Sequence, residues 1–254
     1  MSDRRRRAST EKTRPSVFWL LGAVVVPVVG LLAKIEIKGA EKLPQTGAYV
    51  LAANHHSEID PLIVAVAVWR LGRAPRFMAK ESLFHVPVLG WALRKTGMVP
   101  VARTASSAAA RETLKTSRDL VRHGRGVIVY PEGTLTRDPD LWPMRGKSGA
   151  VRLAAAGDLP VIPMAQWGAQ QLLPRYGKLR LWPPRRRMSV MIGDPIDLDD
   201  VRQEHATPAQ LNAATTRVMD RIAAMLGEIR DLPAPAERWN PAAHGQKETG
   251  RLDS

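Results

Sequence analysis

A polar cluster between two apolar segments constrains the fold more than any other feature of the chain. It runs from Asn54 to Asp60 and contains two histidines, a glutamate and an aspartate. The apolar run before it, Ala48 to Ala53, is typical of a buried strand, and Pro61 to Leu71 after it is compatible with a helix. In α/β proteins ligands bind at such strand-to-helix corners, at the carboxyl ends of strands. The sequence therefore places a candidate functional site here.

His55 and Asp60 are the residues of this cluster that suggest a chemistry. If Asp60 caps the helix and Pro61 is its first residue, the loop can fold back and bring the carboxylate against the His55 ring. A histidine oriented by a carboxylate acts as a general base, because its tautomer is fixed and its protonated form is stabilised. Two alternatives stay open from the residues alone. One is a plain helix cap beside a structural histidine, and the weaker one is a metal site formed by the adjacent histidines with Glu58 and Asp60.

From Ile35 onward, short apolar segments alternate with stretches of helical periodicity. The predicted strands are Ile35–Lys38, Tyr49–Ala53, Arg76–Ala79, Met98–Val101, Val127–Tyr130, Val161–Gln166 and Met188–Ile192. The predicted helices are Leu62–Leu71, Leu89–Lys95, Ser107–Arg122, Ala150–Ala156 and Pro208–Ile229. This alternation predicts an α/β fold over residues 35–230, a layered domain with a mixed, largely parallel sheet flanked by helices.

The segment from Val17 to Ala33 contains no charged residue and is interrupted by Pro27. It lies at the short limit of the roughly 17 to 25 residues that a spanning helix needs. A cleaved signal peptide is disfavoured by the poor cleavage site at its end. A full span would place the main domain outside the cell. We prefer a membrane-anchoring helical segment over residues 16–34 that lies in one leaflet, with Trp19 at the interface and the domain on the cytoplasmic side.

The two ends of the chain differ in composition from the domain between them. Residues 1–15 form a basic arm without apolar residues that could pack, and we expect Arg4 to Arg7 to lie on anionic headgroups. From Leu232 onward, prolines and polar residues predict a flexible tail over residues 231–254.

The charge of the chain implies an anionic partner. The formal net charge is +14, which fits nucleic acid, an anionic membrane surface or a phosphorylated substrate. Nucleic acid is disfavoured, because aromatic residues make up only 5% of the chain and no nucleic-acid motif is present. The chain has no cysteine, which excludes disulfides and Cys nucleophiles. A basic cluster with Trp182 is predicted to rest on anionic lipid, and it comprises Arg175, Lys178, Arg180, Arg185, Arg186 and Arg187.

A second informative stretch runs from Val127 to Arg137, where a predicted strand enters the turn Tyr130-Pro131-Glu132-Gly133-Thr134. Backbone amides around Gly133 and Thr134 are candidates for an anion-binding nest. Positive charge there would come from Arg137, Arg145 and Lys147. An ordinary turn at the end of a strand is the alternative. A third stretch, Lys80 to Gly90, is followed by Gly97 to Arg103, which places Arg103 just beyond a predicted strand.

These stretches, in this order, resemble the glycerolipid acyltransferase family that includes the 1-acylglycerol-3-phosphate acyltransferases. The resemblance covers about Ile35 to Ile196 and has five blocks. They are the His-x4-Asp block at His55 to Asp60, Lys80 to Gly90, Gly97 to Arg103, the Pro-Glu-Gly-Thr block at Pro131 to Thr134, and Leu159 to Pro163.

The resemblance implies transfer of a fatty acyl group from a thioester to the free hydroxyl of 1-acyl-glycerol 3-phosphate, which yields phosphatidic acid. His55 is then the catalytic base, and Asp60 orients it. The residues implied to bind substrate are Arg103, Glu132, Gly133, Thr134 and Arg137. The donor, acyl-CoA or acyl-acyl carrier protein, is a substrate, so we expect no cofactor and no metal. Transfer is expected to be direct because no nucleophile elbow accompanies the histidine.

The charge of the chain, the predicted anchor and the resemblance together predict partners and a location. The partners are a membrane lipid acceptor, an acyl thioester and an anionic membrane surface, without nucleic acid. The location is the cell membrane, where the protein is monotopic or peripheral on the cytoplasmic face. An apolar groove for the acyl chain is expected along Leu62 to Leu71 or Val86 to Leu93.

The chain departs from the family pattern at one position. Leu135 directly follows Pro-Glu-Gly-Thr, where the family usually has the arginine thought to hold the acceptor's phosphate. Other acceptors therefore stay open, namely glycerol 3-phosphate, a glycolipid or an amino lipid. A non-catalytic protein that binds anionic membrane or nucleic acid is the alternative from a different class.

Overall fold

The computed structural model describes residues 16–101, 107–202 and 206–247. Its strands are β1 Ala33–Lys38, β2 Tyr49–Ala53, β3 Met78–Lys80, β4 Val99–Val101, β5 Gly126–Val129, β6 Val161–Trp167 and β7 Arg186–Ile192. Its α-helices are α1 Val17–Leu32, α2 Asp60–Arg70, α3 Pro87–Lys95, α4 Ser107–His123, α5 Gly149–Gly157, α6 Ala169–Leu172 and α7 Pro208–Arg230. Short 3₁₀ helices lie at Ala40–Lys42, Glu81–His85, Asp199–Val201 and Pro241–His244.

Five strands form the main sheet, in the order β1-β7-β6-β2-β5. The pairs β1 with β7, β2 with β5 and β2 with β6 are parallel, whereas β6 and β7 are antiparallel. Strands β3 and β4 form a small parallel sheet of their own. A bridge between Phe77 and Ile128 joins this small sheet to β5. The predicted mixed, largely parallel sheet flanked by helices is confirmed.

Strand β2 is buried along its whole length because helices cover both faces of the sheet. Leu51 belongs to the core on one face, together with residues of α2 such as Val64. Val50 belongs to the core on the other face, with Leu153 of α5 and Val218 of α7. Both faces of β2 are therefore buried from solvent, which explains why its sequence is an uninterrupted run of apolar residues.

Most predicted elements are present, with bounds that move by a few residues. One shift of two residues is in β3, which begins at Met78 and not at Arg76. Phe77 pairs with Ile128 of the main sheet, so the chain crosses between the two sheets just before β3 begins. Helix α2 starts at Asp60 and not at Leu62, and it contains Pro61, which is tolerated in the first turn of a helix.

Helix α1 occupies most of the segment predicted to anchor the protein, with Pro27 inside it. It packs on α2 through Trp69, whose ring centroid lies 6.5 Å from that of Phe18 and 6.2 Å from that of Trp19. The opposite face is exposed, and Leu20 retains 71% of its accessible surface. In the part of the chain that the structure describes, no helix combines the length and the apolarity needed to cross a bilayer. The predicted basic arm, 1–15, lies outside the described residues.

The segment after α7, predicted from composition to be flexible, contacts the domain as far as it is described. The rings of Trp239 and His244 stack with centroids 3.6 Å apart. The amide of Arg145 donates to the carbonyl of Trp239 at 3.4 Å, and Arg238 forms an ion pair with Asp220 of α7. Composition predicts flexibility here because prolines and polar residues predominate, and in the described part of the segment Trp239 and His244 pack on each other.

Candidate active site

The loops after β2 and β5 lie side by side, because these two strands are parallel neighbours and their carboxyl ends meet at one edge of the sheet. Two hydrogen bonds join the loops. The amide of His55 donates to Glu132 Oε1 at 2.9 Å, and the amide of Thr136 donates to the carbonyl of His55 at 2.7 Å. The two polar stretches singled out in the sequence thus form one site.

His55 and Asp60 are in direct contact in this site. His55 Nδ1 lies 2.9 Å from Asp60 Oδ2, and the same oxygen accepts from the amides of His56 at 2.6 Å and Ser57 at 2.8 Å. The prediction that Asp60 caps α2 is wrong, because Ile59 occupies the cap position and Asp60 is the first helical residue. Its carboxylate instead points back and accepts hydrogen bonds from amides of the preceding loop. These bonds hold the loop in place around the His55 ring.

The surroundings of Asp60 keep its carboxylate ionised. Burial by itself raises the pKa of Asp60, but the neighbouring His56 and His55, together with hydrogen bonds from the His55 ring and the Ser57 amide, lower it below the usual value. An ionised carboxylate only accepts hydrogen bonds, so His55 Nδ1 carries the proton. The lone pair of His55 then lies on Nε2, which is the atom that can take a proton from a substrate.

Tyr130 fixes the plane of the His55 ring. The two rings stack with centroids 4.2 Å apart and planes inclined by 19°. Phe77 also stacks with Tyr130, with ring centroids 6.2 Å apart. The His55 side chain keeps 17% of its surface exposed. His55 is therefore held by a carboxylate at one edge and an aromatic ring on one face, while part of it stays accessible.

His56 has a structural role and does not support the metal alternative. Its side chain is fully buried, and the Asn54 amide nitrogen lies 3.1 Å from its Nδ1. Burial lowers the pKa of His56, which favours the neutral ring. Asn54 in turn exchanges hydrogen bonds with Gln166 at the end of β6. Among the described residues, no group of three or more His, Asp or Glu side chains is arranged to hold a metal ion.

Glu132 connects the two loops through its carboxylate. One oxygen accepts from the amide of His55 at 2.9 Å and the other from the amide of Met144 at 3.0 Å. The side chain is fully buried. Burial raises the pKa of Glu132 to about 8, against the opposing effect of these two amides and the Thr136 hydroxyl. The carboxylate predicted to meet an acceptor is thus already bonded on both oxygens to the protein backbone.

The rest of the Pro-Glu-Gly-Thr turn differs from expectation. The amide of Gly133 donates to the carbonyl of Tyr130 at 3.0 Å, so it is not available for the predicted anion nest. Thr134 is half-buried beside it, and Leu135 packs inside the domain. The Arg137 side chain, predicted to pair with a phosphate, keeps only 1% of its surface exposed. Arg103, predicted to share that role, lies outside the described residues.

An accessible cation does lie beside this turn. Lys147 Nζ is 3.6 Å from the position that a Cβ on Gly133 would occupy, and the Lys147 amide donates to the carbonyl of Pro131 at 2.8 Å. Lys147 and Arg145 line a cavity of about 240 Å³ that also reaches Glu132 and Asn212. Gly133 has a φ of +70°, a backbone conformation that favours glycine, and the lysine side chain lies within van der Waals distance of this turn.

The predicted acyl groove is not found along the whole of the two segments named for it. In α2, Ile63, Val64 and Val68 belong to the buried core. Among the described side chains of these segments, Leu62, Val86 and Trp91 are exposed large apolar residues. Most of the apolar character of α2 is therefore explained by packing against the sheet.

Local sequence patterns contain a partial signal for the site residues that were not predicted. The sequence analysis assigns Tyr130 no role, although an aromatic residue directly before a polar turn is a candidate for packing on a neighbouring catalytic ring. Asn54 and Gln166 each end an apolar strand, where buried amides commonly bond to the adjacent loop. Their pairing across 112 positions cannot be read from local sequence.

Comparison with known proteins adds to this geometry. A chloroplastic 1-acyl-sn-glycerol-3-phosphate acyltransferase of Brassica napus is 34% identical over 142 residues, 56% of this chain and 39% of that protein. The enzyme of that name from Bacillus subtilis is 28% identical over 194 residues, 76% of this chain and 88% of that protein. The chain spans about two fifths of the length of the plant relatives from Brassica napus and Arabidopsis thaliana.

A solved structure shares the fold. The crystal structure of a 1-acyl-sn-glycerophosphate acyltransferase from Thermotoga maritima matches with a TM-score of 0.61 at 23% sequence identity, over 88% of this chain and 81% of that one. The family model described as Acyltransferase matches residues 34–167, more than half of the chain, and includes both loops of the site. The chain therefore belongs to the Acyltransferase family.

Proposed function

We propose that this protein transfers a fatty acyl group from an acyl thioester to the free hydroxyl of 1-acyl-glycerol 3-phosphate, which yields phosphatidic acid. The observation that carries the proposal is the contact of 2.9 Å between His55 Nδ1 and the buried carboxylate of Asp60, on a ring that stays partly accessible. The names of the relatives from Brassica napus and Bacillus subtilis support this acceptor.

In this proposal His55 acts as the general base. Nε2 removes the proton of the acceptor hydroxyl while the oxygen attacks the thioester carbonyl carbon. The tetrahedral intermediate then collapses, the carbon–sulfur bond breaks, and the thiolate leaving group takes the proton back from Nε2. Asp60 stabilises the protonated ring between these steps. General base catalysis of this kind typically contributes about 10² to 10⁴ in rate.

Glu132 and Tyr130 are positioning residues in this scheme. Glu132 holds the His55 amide, and Tyr130 holds the ring plane. Both contacts keep the His55 ring in its hydrogen bond with the buried Asp60 carboxylate. A His55 ring that tilts out of this bond loses the tautomer in which Nδ1 carries the proton and Nε2 is free to accept one. Neither residue has to touch the substrate for its loss to slow the reaction.

Lys147 is the proposed partner of the acceptor's phosphate. Leu135 is buried and apolar, and the Arg137 side chain is enclosed, so neither presents a charge at the turn. The exposed Lys147 side chain lies beside Gly133 and lines the same cavity as Arg145. A phosphate bound there forms charge-assisted hydrogen bonds with one or both side chains. Gly133 and Thr134 are proposed to form one side of the same phosphate subsite. Arg103 is a further candidate for binding the phosphate.

The donor is proposed to be acyl-CoA or acyl-acyl carrier protein, and no cofactor or metal is required. The reaction is a transfer between two substrates, without a change of oxidation state. Leu135 stands at the position after the turn where the family usually has an arginine, so a charged residue is replaced by an apolar one. This replacement favours one competing class of acceptor, lipids without a phosphate monoester. The expected acceptor and these competitors are separated by the assay below.

The protein is proposed to sit on the cytoplasmic face of the cell membrane as a monotopic or peripheral protein. Helix α1 exposes Leu20, Val24, Val28 and Leu31, which are spaced along one side of the helix. The amide of Arg185 donates to the carbonyl of Leu31 at 3.3 Å, so the loop 178–185 lies against the end of α1. This contact supports a single apolar surface shared by the helix and the loop.

The loop 178–185 has the composition of a membrane contact. Leu179, Leu181 and Trp182 are exposed, with 82% of the Trp182 surface accessible. Lys178, Arg180 and Arg185 stand exposed between and beside them. Apolar side chains enter the interface while basic ones remain at the anionic headgroups, which is the arrangement of an interfacial segment.

An acceptor panel tests the proposed function. The purified full chain is given one labelled acyl-CoA with 1-acyl-glycerol 3-phosphate, glycerol 3-phosphate, a lysoglycolipid or a lyso amino lipid. The proposal predicts that label enters phosphatidic acid faster than any other product. Transfer to another acceptor, with none to 1-acyl-glycerol 3-phosphate, would contradict it.

A further inference from the structure

A third loop joins the two loops of the His55 site. Strand β6 pairs in parallel with β2, as β5 does, so the loops after all three strands lie at the same edge of the sheet. The loop after β6 contains the short helix α6, and we call the four residues that follow it, 173–176, the bridging segment. The reaction proposed above assigns this segment no role.

The bridging segment contacts the loop that carries His55. The hydroxyl of Ser57 donates to the carbonyl of Leu173 at 2.6 Å, and Ser57 is fully buried. The amide of Tyr176 donates to Glu58 Oε1 at 2.9 Å. Two consecutive residues of the loop that carries His55 are thus bonded to the two ends of the bridging segment.

Arg175, in the middle of the bridging segment, contacts the other loop of the site. Its Nη1 donates to the carbonyl of Thr136 and to the carbonyl of Asp138, the latter at 3.1 Å. The charge pattern of the sequence predicts a contact of Arg175 with anionic lipid, yet its Nη1 is directed at the backbone after the Glu132 turn. The Arg175 side chain therefore ties the bridging segment to that turn.

Thr136 connects Arg175 to the proposed base. Thr136 is buried, and its amide donates to the carbonyl of His55 at 2.7 Å. The carbonyl of the same residue accepts from the Arg175 guanidinium. Hydrogen bonds from an ionised donor are stronger than those between neutral groups. Arg175 thus holds by its carbonyl the residue that holds His55 by its amide.

We propose that Arg175 is a positioning residue for His55, which acts by fixing the carbonyl of Thr136. Without the guanidinium, the buried Thr136 carbonyl loses a charge-assisted donor, and the amide that binds the His55 carbonyl moves more freely. A small displacement of the base slows proton transfer, because the reaction depends on the distance from Nε2 to the acceptor hydroxyl. The expected effect on the rate rests on the proposed function, whereas the effect on the Thr136 amide does not.

The test compares Arg175→Met with the wild type, both as the full chain in non-ionic detergent. Methionine keeps an unbranched side chain and removes the donors. We expect kcat for acyl transfer to fall about tenfold, while the KM for 1-acyl-glycerol 3-phosphate stays within about twofold. The Thr136 amide should exchange its hydrogen about tenfold faster, as measured by NMR. Arg175→Lys retains a charged donor and should recover kcat to within about threefold of the wild type.

Arg217→Met is the matched control. Arg217 Nη2 also donates to a backbone carbonyl, that of Asp197 at 3.4 Å, and it pairs with Asp200 at the exposed surface of α7. In this variant kcat and the exchange of the Thr136 amide should stay within about twofold of the wild type. Binding to anionic vesicles should be equal in Arg175→Met and Arg217→Met, because each loses one charge and the proposed role is not a contact with lipid.

Two results would overturn the proposal. Unchanged exchange of the Thr136 amide in Arg175→Met would show that Arg175 does not hold this residue. An unchanged kcat, with vesicle binding about fivefold weaker than in Arg217→Met, would identify a headgroup contact instead. If the wild type transfers acyl groups to no acceptor, the proposed function fails, while amide exchange still decides whether Arg175 holds Thr136. Should Arg175→Met not fold, Arg175→Gln should show the same change in exchange, by about threefold.

Discussion

The amide of His55 donates a hydrogen bond to the buried carboxylate of Glu132 at 2.9 Å, across 77 positions of the chain. This bond joins the loop that carries the proposed base to the turn after β5. Glu132 also accepts from the amide of Met144, so the segment lining the cavity beside Lys147 is fixed by the same carboxylate. The glutamate is thereby placed to hold the geometry of both halves of the site.

The pH dependence of stability tests this role of Glu132. Its pKa in the folded protein is about 8, raised by burial from 4.5, so between these values the folded state binds a proton that the unfolded state has released. Stability should fall as the pH rises through this window, by at most about 1.4 kcal/mol per pH unit, and the effect should level off above pH 8. Urea unfolding of Glu132→Gln at pH 6, 7 and 8 should show a flatter dependence than the wild type.

Glu58→Gln provides the control for this measurement. Glu58 is an exposed carboxylate that accepts from the amide of Tyr176 at 2.9 Å, and the chemical change is identical. Its unfolding should keep the wild-type dependence on pH. If Glu132→Gln and Glu58→Gln gave the same slope, the buried carboxylate would not be the titrating group.

Tyr130 should act through its ring and not through its hydroxyl. The hydroxyl is buried and has no hydrogen-bond partner among the described residues, while the ring stacks on His55. Tyr130→Phe should keep acyl transfer within about twofold and stabilise the fold by about 1 kcal/mol, because an unsatisfied polar group is removed. Tyr130→Ala should lower kcat about tenfold or more, since the ring of the base is no longer held. Equal losses in kcat for both variants would show that the hydroxyl contacts substrate.

Lys147 should affect binding of the acceptor more than the chemical step. Lys147→Ser removes the exposed ammonium beside Gly133 and should raise the KM for 1-acyl-glycerol 3-phosphate about tenfold, the value of one charge-assisted hydrogen bond. Lys147→Arg should restore most of the affinity. Steady-state kinetics with Lys115→Ser, an exposed lysine of α4, provide the control. An unchanged KM in Lys147→Ser would place the phosphate elsewhere.

The loop 178–185 should contribute to membrane binding through charge. Replacing Lys178, Arg180 and Arg185 with serine should weaken binding to vesicles with 30 mol% phosphatidylglycerol by about 3 kcal/mol at low salt, because each basic residue near the surface contributes about 1 kcal/mol. The difference should shrink in high salt, where surface charges are screened. Arg187 is left in place because it pairs with Glu36 at 3.1 Å.

The comparison for the vesicle experiment is the triple serine variant of Arg111, Arg118 and Arg122 on α4, which removes three exposed charges at another surface. Sedimentation with vesicles gives both affinities. An equal loss in this triple variant would mean that overall charge, and not the loop, drives binding.

The sequence predicted the elements of the fold better than their arrangement. Strand β2 was placed correctly at Tyr49–Ala53 because both of its faces are buried and polar residues end it. The antiparallel pairing of β6 with β7 has no local signature, since an apolar strand reads the same in either direction. The shift of β3 follows from a long-range bridge between Phe77 and Ile128, which local periodicity does not contain.

In the site, local spacing was enough to predict the contact between His55 and Asp60, but it did not predict the positions of the residues around them. Five positions separate the pair, and the loop between them is held by the carboxylate itself. Arg137 was predicted to pair with the acceptor's phosphate, and the structure encloses its side chain, which is rare for a charged residue. Glu132 was expected to face a ligand, yet its partners are backbone amides of distant loops, which become neighbours only through the parallel pairing of β2 and β5.

The most direct test of the central claim is the rate of acyl transfer by His55→Ala, measured with labelled acyl-CoA and 1-acyl-glycerol 3-phosphate alongside vesicle binding. His85→Ala, an exposed histidine away from the Asp60 loop, is the matched control. The account predicts a loss of at least about 100-fold for His55→Ala, with vesicle binding and the control unchanged. Transfer by His55→Ala at more than half of the wild-type rate would contradict it.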